Sequence, residues 1–236
     1  MNDEKWVEKG IIVAIDGPSG AGKSTVARQL AERLGYLYID TGAMFRAVAL
    51  TVKRSNINLE DEDALAALCR DLEITFVRHE GAYRVFANGE DVSEAIRTPE
   101  ISLLTSRISM KKVVREALLH EQRRMGRAGN VVLEGRDIGS VVFPQADVKF
   151  FLSASAEERG KRRFLELEAK GERVTLENTI VEVIARDAQD EQREHAPLRM
   201  AEDALPIDSD GISVEEVLRR MEKVVRQKES ERRAAF

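Results

Sequence analysis

The chain alternates between short apolar runs and longer amphipathic stretches. The apolar runs predict strands, and those rich in Ile and Val are typical of strands buried on both faces of a parallel sheet. The predicted strands cover residues 11–16, 36–40, 131–135, 148–155 and 203–211. The stretches between them have the spacing of amphipathic helices, so the pattern indicates an α/β chain.

The spacing of the apolar residues changes in one central part of the chain. Apolar and polar residues alternate in three short segments there, separated by Gly81 and by Asn88-Gly89. This pattern predicts a small antiparallel sheet with an Asn-Gly hairpin turn. We expect an inserted subdomain that divides the core, with a first core part, the insert and a second core part at about residues 1–60, 61–104 and 105–236.

The other stretches are helical by their spacing. Residues 100–126 predict helices broken near Ser109–Lys111, and two further helices, separated at Lys170-Gly171, follow the strand at 148–155. The second of these is expected to end at Pro197. The closing helix is expected to give way to a charged, disordered tail over residues 228–236, and residues 1–10 are expected to fray.

Composition limits the possible settings. The chain has 236 residues, of which 43% are hydrophobic and 33% charged, and these values are typical of a soluble globular protein. The net charge of -5 gives no general attraction to nucleic acid or to a membrane surface. Cys69 is the only cysteine, so no internal disulfide forms and a reducing cytoplasm is expected. The start lacks the apolar region of a signal peptide. We expect a cytoplasmic monomer.

The segment between the first predicted strand and helix reads GPSGAGKST and matches G-x-x-x-x-G-K-[ST]. Glycines let backbone N–H groups face an anion, and the helix adds its positive N-terminal end. Lys23 brings a cation to the outer phosphates, and the Ser24 hydroxyl can bind Mg²⁺. The alternative is a Gly-rich turn without a ligand. The predicted nucleoside triphosphate site consists of Gly17, Pro18, Ser19, Gly20, Ala21, Gly22, Lys23, Ser24 and Thr25.

Charged residues follow two predicted strands. Arg46 comes just after Asp40-Thr41-Gly42, where it can bind a substrate anion or remain an exposed surface arginine. Arg136 and Asp137 follow the buried strand at 131–135, where open α/β sheets bind ligands. The alternative for these two is a tight turn with a structural ion pair.

Two later helices carry more charge. The basic residues at 159–163 suit a lid over a phosphate site, although helical pairs with neighbouring glutamates account for some of them. Arg186, Asp190 and Arg193 are spaced i, i+4 and i+7, on one helical face. They can bind phosphate and ribose, or they can form a surface ion-pair ladder.

Five segments, taken together and in this order, resemble bacterial cytidylate kinases: GPSGAGKST, DTGAMFR, GRDIGSVVFP, RDAQDEQREHAPL and LPIDSDGISVEEV. The resemblance runs from Ile11 to about Gln227. The phosphate loop alone is shared by many families, whereas its combination with the GRDIG and RDxxDxxR segments is specific. Phe45 stands where the family usually has Tyr, so we expect no polar role for it.

The resemblance implies a five-stranded parallel sheet wrapped by helices, a nucleoside monophosphate-binding insert and a helical lid at about residues 156–172. It implies transfer of the γ-phosphate of ATP to CMP or dCMP, with Mg²⁺. By position, Thr41, Arg46, Arg136 and Arg193 would hold the acceptor phosphate, Ser106, Arg115 and Asp137 would bind cytosine, and Arg186 and Asp190 would contact the ribose. Lys23, Arg136, Arg193 and the lid residues Arg159 and Arg163 would be catalytic.

Two other function classes fit the phosphate loop. One is a kinase for another acceptor, such as shikimate, gluconate or a different nucleotide. The cytosine-binding trio and the antiparallel insert argue against it. The other is a regulatory nucleotide switch, of the GTPase or transporter-ATPase kind. The chain contains neither the guanine-binding N-K-x-D nor the L-S-G-G-Q signature of those proteins.

Overall fold

The computed structural model describes residues 10–79 and 82–234. The expected fraying of residues 1–9 and the predicted break at Gly81 fall outside the described residues. In chain order, the elements are β1 (Ile12–Asp16), α1 (Lys23–Leu34), β2 (Leu37–Asp40), α2 (Thr41–Arg54), α3 (Glu62–Asp71), β3 (Ile74–His79), β4 (Ala82–Ala87), β5 (Glu90–Asp91), α4 (Pro99–Ile108), α5 (Lys112–Gly126), β6 (Val131–Gly135), β7 (Val148–Ser153), α6 (Ala156–Ala169), α7 (Leu176–Gln192), β8 (Leu205–Asp208) and α8 (Val214–Ala234).

Five strands form a parallel sheet in the order β2-β6-β1-β7-β8. In register, Ile12 lies beside Val131, and Val13 lies beside Val148. All five residues of β1 and of β6 are buried, as expected for the middle of a sheet covered on both faces, whereas β8 at the edge buries only Ile207. The predicted five-stranded parallel sheet is confirmed.

The chain forms two compact units. The first contains the described chain up to Tyr38, Met125–Gln192 and the chain from Ala196 onwards. Helices α1, α6, α7 and α8 belong to it, and the core of its sheet includes the fully buried Ile12, Ile15, Leu133 and Phe150. Helix α1 ends at Gly35, whose φ of 70° is the left-handed conformation that glycine adopts without strain.

The second unit consists of Ile39–Arg124 and Arg193–His195. It contains the predicted antiparallel sheet, in which β3 and β4 pair from Ile74 opposite Ala87 to His79 opposite Ala82. Asn88 and Gly89 turn the chain into β5 with φ of 49° and 80°, the positive angles that a two-residue hairpin turn requires. The Asn-Gly hairpin is confirmed.

The third predicted strand of this sheet is wrong beyond Asp91. The Asp91 carboxylate accepts a hydrogen bond from the Ser93 backbone N–H at 2.9 Å, and this local turn ends the strand. The Ser93 hydroxyl then accepts from the N–H of Val85 at 2.9 Å. The chain continues as a 3₁₀ turn over Ala95–Arg97.

Two boundaries near the C-terminus also differ from expectation. Helix α7 ends at Gln192, five residues before Pro197, so Arg193 does not share its helical face with Arg186 and Asp190. The expected disordered tail is helical to Ala234, because α8 docks at its far end. The hydroxyl of Tyr36 donates to Glu229 at 2.5 Å there. None of the described helices is long and apolar enough to cross a membrane.

Candidate active site

The loop between β1 and α1 has a backbone that only glycine adopts readily. Gly17, Gly20 and Gly22 have φ of 149°, 80° and 91°. A Cβ on Gly17 would lie 2.0 Å from the carbonyl oxygen of Leu152, so the close approach of this loop to β7 also requires glycine. Helix α1 begins at Lys23, and Ser24 and Thr25 are exposed in its first turn. The N–H groups of this turn are available to an anion.

Lys23 is buried beneath this loop, and its ammonium group donates to the carbonyl oxygen of Pro18 at 2.6 Å. Burial lowers the pKa of Lys23 to about 7, and the positive charge of Arg136 lowers it further, against the opposing effect of the Glu134 and Asp16 carboxylates. The predicted phosphate-binding lysine is thus a buried amine that loses its proton more readily than an exposed lysine does.

Asp16, the last residue of β1, ties the loop after β6 to the centre of the sheet. Its two carboxylate oxygens accept from the N–H groups of Ile138 at 2.8 Å and Gly139 at 2.7 Å. Burial raises the pKa of Asp16 to about 6, although these two hydrogen bonds favour the charged form. The sequence motifs predicted no role for Asp16, and its one signal is a carboxylate at the end of a buried strand.

Arg136 and Asp190 bring two of the predicted segments together. The Nε of Arg136 donates to Asp190 Oδ2 at 2.8 Å, and both side chains are largely buried. Asp137 beside them is 7% exposed and begins a π-helical turn, Ile138–Val142. Asp190, predicted as a ribose contact, is therefore also a partner of the predicted phosphate-binding arginine.

Arg159, predicted as a lid residue, is 5% exposed. It lies on α6 and contacts both the phosphate loop and α7. Its guanidinium donates to the carbonyl oxygens of Ala154 at 2.9 Å and Ser19 at 3.1 Å, and pairs with Asp187 at 2.6 Å. Arg163, one turn later, is partly exposed and pairs with Glu166.

In the second unit, Asp40 organises the start of α2. One carboxylate oxygen accepts from the N–H of Ala43 at 2.8 Å, and the other pairs with Arg46 at 2.7 Å. Thr41, which follows Asp40 in the sequence, is buried. A Cβ on Gly42 would lie 3.1 Å from both Asp40 and the Arg46 guanidinium, so glycine gives this ion pair its room.

The same unit holds the other predicted base-binding residues. Ser106 lies on α4 and Arg115 on α5. The Arg115 guanidinium stands 5.4 Å from the centre of the Phe45 ring and donates to the carbonyl oxygen of Ser109 at 3.2 Å. The aromatic ring thus orients an arginine, a role that needs no hydroxyl. Arg193 also belongs to this unit.

The structure therefore assigns the predicted residues to two groups. The first unit holds the phosphate loop, Lys23, Arg136, Asp137, Arg159, Arg163, Arg186 and Asp190, whereas the second holds Thr41, Arg46, Ser106, Arg115 and Arg193. Across the described residues, no group of three or more His, Cys, Asp or Glu side chains could hold a metal ion.

Comparison with known proteins identifies the family. A family model described as cytidylate kinase matches residues 13–227. The chain belongs to the cytidylate kinase family. It is 66% identical over 221 residues to a cytidylate kinase of Geobacter sulfurreducens, covering 94% of this chain and 95% of that one. It is 47% identical over 222 residues to a cytidylate kinase of Bacillus subtilis, covering 94% and 99%.

Among solved structures, a protein from Eubacterium ventriosum, described as uncharacterized, shares the fold with a TM-score of 0.51. The match covers 91% of this chain and 98% of that one, at 13% identity, so the likeness concerns the fold alone. The cytidylate kinase resemblance predicted from the five segments is confirmed by the family match.

Proposed function

We propose that this protein is a cytidylate kinase that transfers the γ-phosphate of ATP to CMP or dCMP and yields ADP with CDP or dCDP. The observation that carries this proposal is the match of the cytidylate kinase model over residues 13–227. That range includes both the phosphate loop and the predicted base-binding residues.

The ATP side of the proposal rests on the phosphate loop. Its glycine backbone and the first turn of α1 offer N–H groups to the phosphates, and Lys23 supplies the cation that follows the transferred group. Of the two predicted lid arginines in 156–172, Arg163 is a better candidate than Arg159 for closing over the phosphates. Its partly exposed i,i+3 pair with Glu166 is weak and readily exchanged for phosphate.

The acceptor side requires arginines, because two phosphate-bearing substrates bring several negative charges together. We assign the acceptor phosphate to Arg46, Arg136 and Arg193, together with Thr41. We assign cytosine to Ser106, Arg115 and Asp137, and the ribose to Arg186 and Asp190. The ion pairs with Asp40 and Asp190 hold Arg46 and Arg136 in fixed orientations, which reduces the entropy lost when they bind a phosphate. We also propose that residues 61–104 form the acceptor-binding subdomain.

The oxygen atoms offered by the phosphate loop fit an Mg²⁺ ion that arrives with ATP. Mg²⁺ in kinases is held by phosphate oxygens and water with one or two protein oxygens, and the exposed Ser24 hydroxyl beside Lys23 can be one of these. When bound, the ion neutralises charge between the β- and γ-phosphates. We propose a cytoplasmic monomer, in keeping with the single cysteine.

A coupled assay of ADP formation tests the function. The acceptors are CMP, dCMP, UMP, AMP, GMP, shikimate and gluconate, each with ATP and Mg²⁺. We expect CMP and dCMP to give the highest kcat/KM by at least about tenfold, because a site built for one polar pattern rejects another. Faster turnover of a different acceptor, or ATP hydrolysis that no acceptor stimulates, would contradict the proposal.

A further inference from the structure

The ion pair between Arg159 and Asp187 lies against the back of the phosphate loop. The Arg159 side chain is 6% exposed and that of Asp187 is 15% exposed. The Cβ of Arg159 also packs on the loop, because a Cβ added to Gly20 would lie 3.1 Å from it. The base of α6 is thus in direct contact with the loop that receives the phosphates.

The hydrogen bond from Arg159 to Ser19 determines the direction of one peptide group. A trans peptide is planar, and its C=O and N–H point in opposite directions. Because the Ser19 carbonyl oxygen faces the Arg159 guanidinium at 3.1 Å, the N–H of Gly20 faces the other way. An anion cradle works when its N–H groups are already turned towards the anion before it arrives.

Two other carbonyl groups of the loop also accept hydrogen bonds from side chains. The Pro18 oxygen accepts from Lys23, the cation that must turn to the phosphates of ATP. The Ala21 oxygen accepts from the Ser209 hydroxyl at 3.4 Å, a long hydrogen bond. The contact of Arg159 with Ser19 is a charge-assisted contact to the loop that does not depend on Lys23.

Asp187 holds the guanidinium in this position. Its Oδ2 pairs with Arg159, whereas its buried Oδ1 has no hydrogen-bond partner among the described residues. A buried ion pair with an unsatisfied oxygen contributes little to folding compared with apolar side chains of the same size. Stability alone therefore does not explain the pair, whereas orientation of Arg159 does.

We propose that Asp187 and Arg159 are positioning residues for ATP, which fix the Ser19–Gly20 peptide so that the Gly20 N–H faces the phosphates. Arg159 stays on Ser19 when ATP binds and does not move to the transferred phosphate. The inference rests on the proposed function only in that ATP binds this loop. It also links ATP binding to α7, the helix that carries Arg186 and Asp190.

The test measures ATP affinity without an acceptor. Asp187→Asn keeps the size of the side chain and removes its charge, and Arg159→Lys keeps the charge and removes the planar fork. Each is expected to raise the Kd of a non-hydrolysable ATP analogue about tenfold, while the KM for CMP changes less than about twofold. The double variant should be no weaker than the worse single variant, because both act through one contact. Glu182→Gln, an exposed acid on the same helix, is the matched control and should bind as the wild type does.

The ¹H–¹⁵N signal of Gly20 gives a direct readout. It should shift in the nucleotide-free Asp187→Asn protein and stay unchanged in Glu182→Gln. If Asp187→Asn does not fold, the wild type still tests the proposal, because the Arg159 guanidinium protons should stay protected from exchange before and after ATP binds.

Three results would overturn the inference. One is unchanged ATP affinity together with an unchanged Gly20 signal in the folded variants. Another is a lower kcat with unaltered ATP affinity, which would place Arg159 on the transferred phosphate. The third is loss of Arg159 proton protection on ATP binding. CMP-dependent turnover of the wild type would distinguish each of these from a failure of the proposed function.

Discussion

The ammonium group of Lys23 donates a hydrogen bond to the carbonyl oxygen of Pro18, five residues earlier, at 2.6 Å. The lysine that the loop motif assigns to phosphate thus donates a hydrogen bond to the loop itself. Burial lowers its pKa to about 7, so a large fraction of Lys23 is neutral at neutral pH. ATP phosphates bring negative charge, which favours the protonated form.

The first prediction follows from that protonation change. At pH 8 the free protein should hold Lys23 mostly neutral, and ATP binding should take up most of one proton, because the lowered pKa of about 7 rises towards the ordinary value for lysine. Titration calorimetry in buffers of different ionisation enthalpy measures this uptake, and at this pH the γ-phosphate no longer titrates.

Lys23→Met provides the comparison. The variant should bind ATP without proton uptake and lose about 10²–10³-fold in kcat, because a cation at the transferred phosphate is missing. Equal uptake in both proteins, or near-normal turnover in a folded variant, would show that Lys23 does not have this role.

The sequence predicts the elements whose signals are local. The phosphate loop is encoded by glycines at positions of positive φ, and the central strands by unbroken runs of Ile and Val. The Asn88-Gly89 turn is equally local. For these elements neighbouring residues carry all the information, so sequence and structure agree.

Contacts between distant residues could not be predicted in this way. Asp16 and Ile138 are 122 positions apart, and Arg159 and Ser19 are 140 positions apart, so no spacing rule relates them. The end of α7 at Gln192 was not predicted, because Pro197 is the stronger local signal for the end of a helix and the residues just before it carry none. The tail was missed because a charged helix is stabilised by packing at Glu229, which composition does not reveal.

Asp16 gives the second prediction. Burial raises its folded pKa from the ordinary 3.8 to about 6, against the two backbone hydrogen bonds, which lower the pKa. Between these values the folded state holds a proton that the unfolded chain has lost. The contribution of Asp16 to the free energy of unfolding therefore falls as pH rises from about 4 to 6.

Asp16→Asn should remove this slope. One of the two backbone N–H groups would then face an amide NH₂, at a cost of about 1–3 kcal/mol. Urea unfolding of both proteins from pH 4 to pH 7 measures the difference, which should be larger at pH 4. A difference that is the same at every pH would show that Asp16 keeps an ordinary pKa.

The third prediction concerns the sugar. Arg186 and Asp190, the predicted ribose contacts, are expected to present no shape barrier to deoxyribose, so kcat/KM for dCMP should lie within about 10³-fold of that for CMP. Because Asp190 also holds Arg136 at 2.8 Å, Asp190→Ala should lower kcat for both substrates. Steady-state kinetics with both nucleotides tests this. A loss confined to CMP would mean that Asp190 contacts the 2′-hydroxyl and does not orient Arg136.

The choice of cytosine over uracil is predicted to rest on Asp137. Cytosine presents an exocyclic amino donor beside the N3 acceptor, and a carboxylate accepts from such an amino group. Uracil has a carbonyl oxygen in that place, which the carboxylate would repel. Because Asp137 is 7% exposed, an unmatched contact there could not be satisfied by bulk water.

Two substitutions at this position separate base recognition from positioning of Arg136. Asp137→Ala should lower kcat/KM for CMP by about 10–100-fold more than for UMP, since only cytosine loses a hydrogen bond. Asp137→Asn should favour UMP further, because its amide can donate to the uracil oxygen while remaining the same size. The measurement is kcat/KM for both nucleotides in all three proteins. Equal losses for CMP and UMP in both variants would assign Asp137 to the orientation of its neighbour Arg136, and cytosine recognition would then belong to other residues.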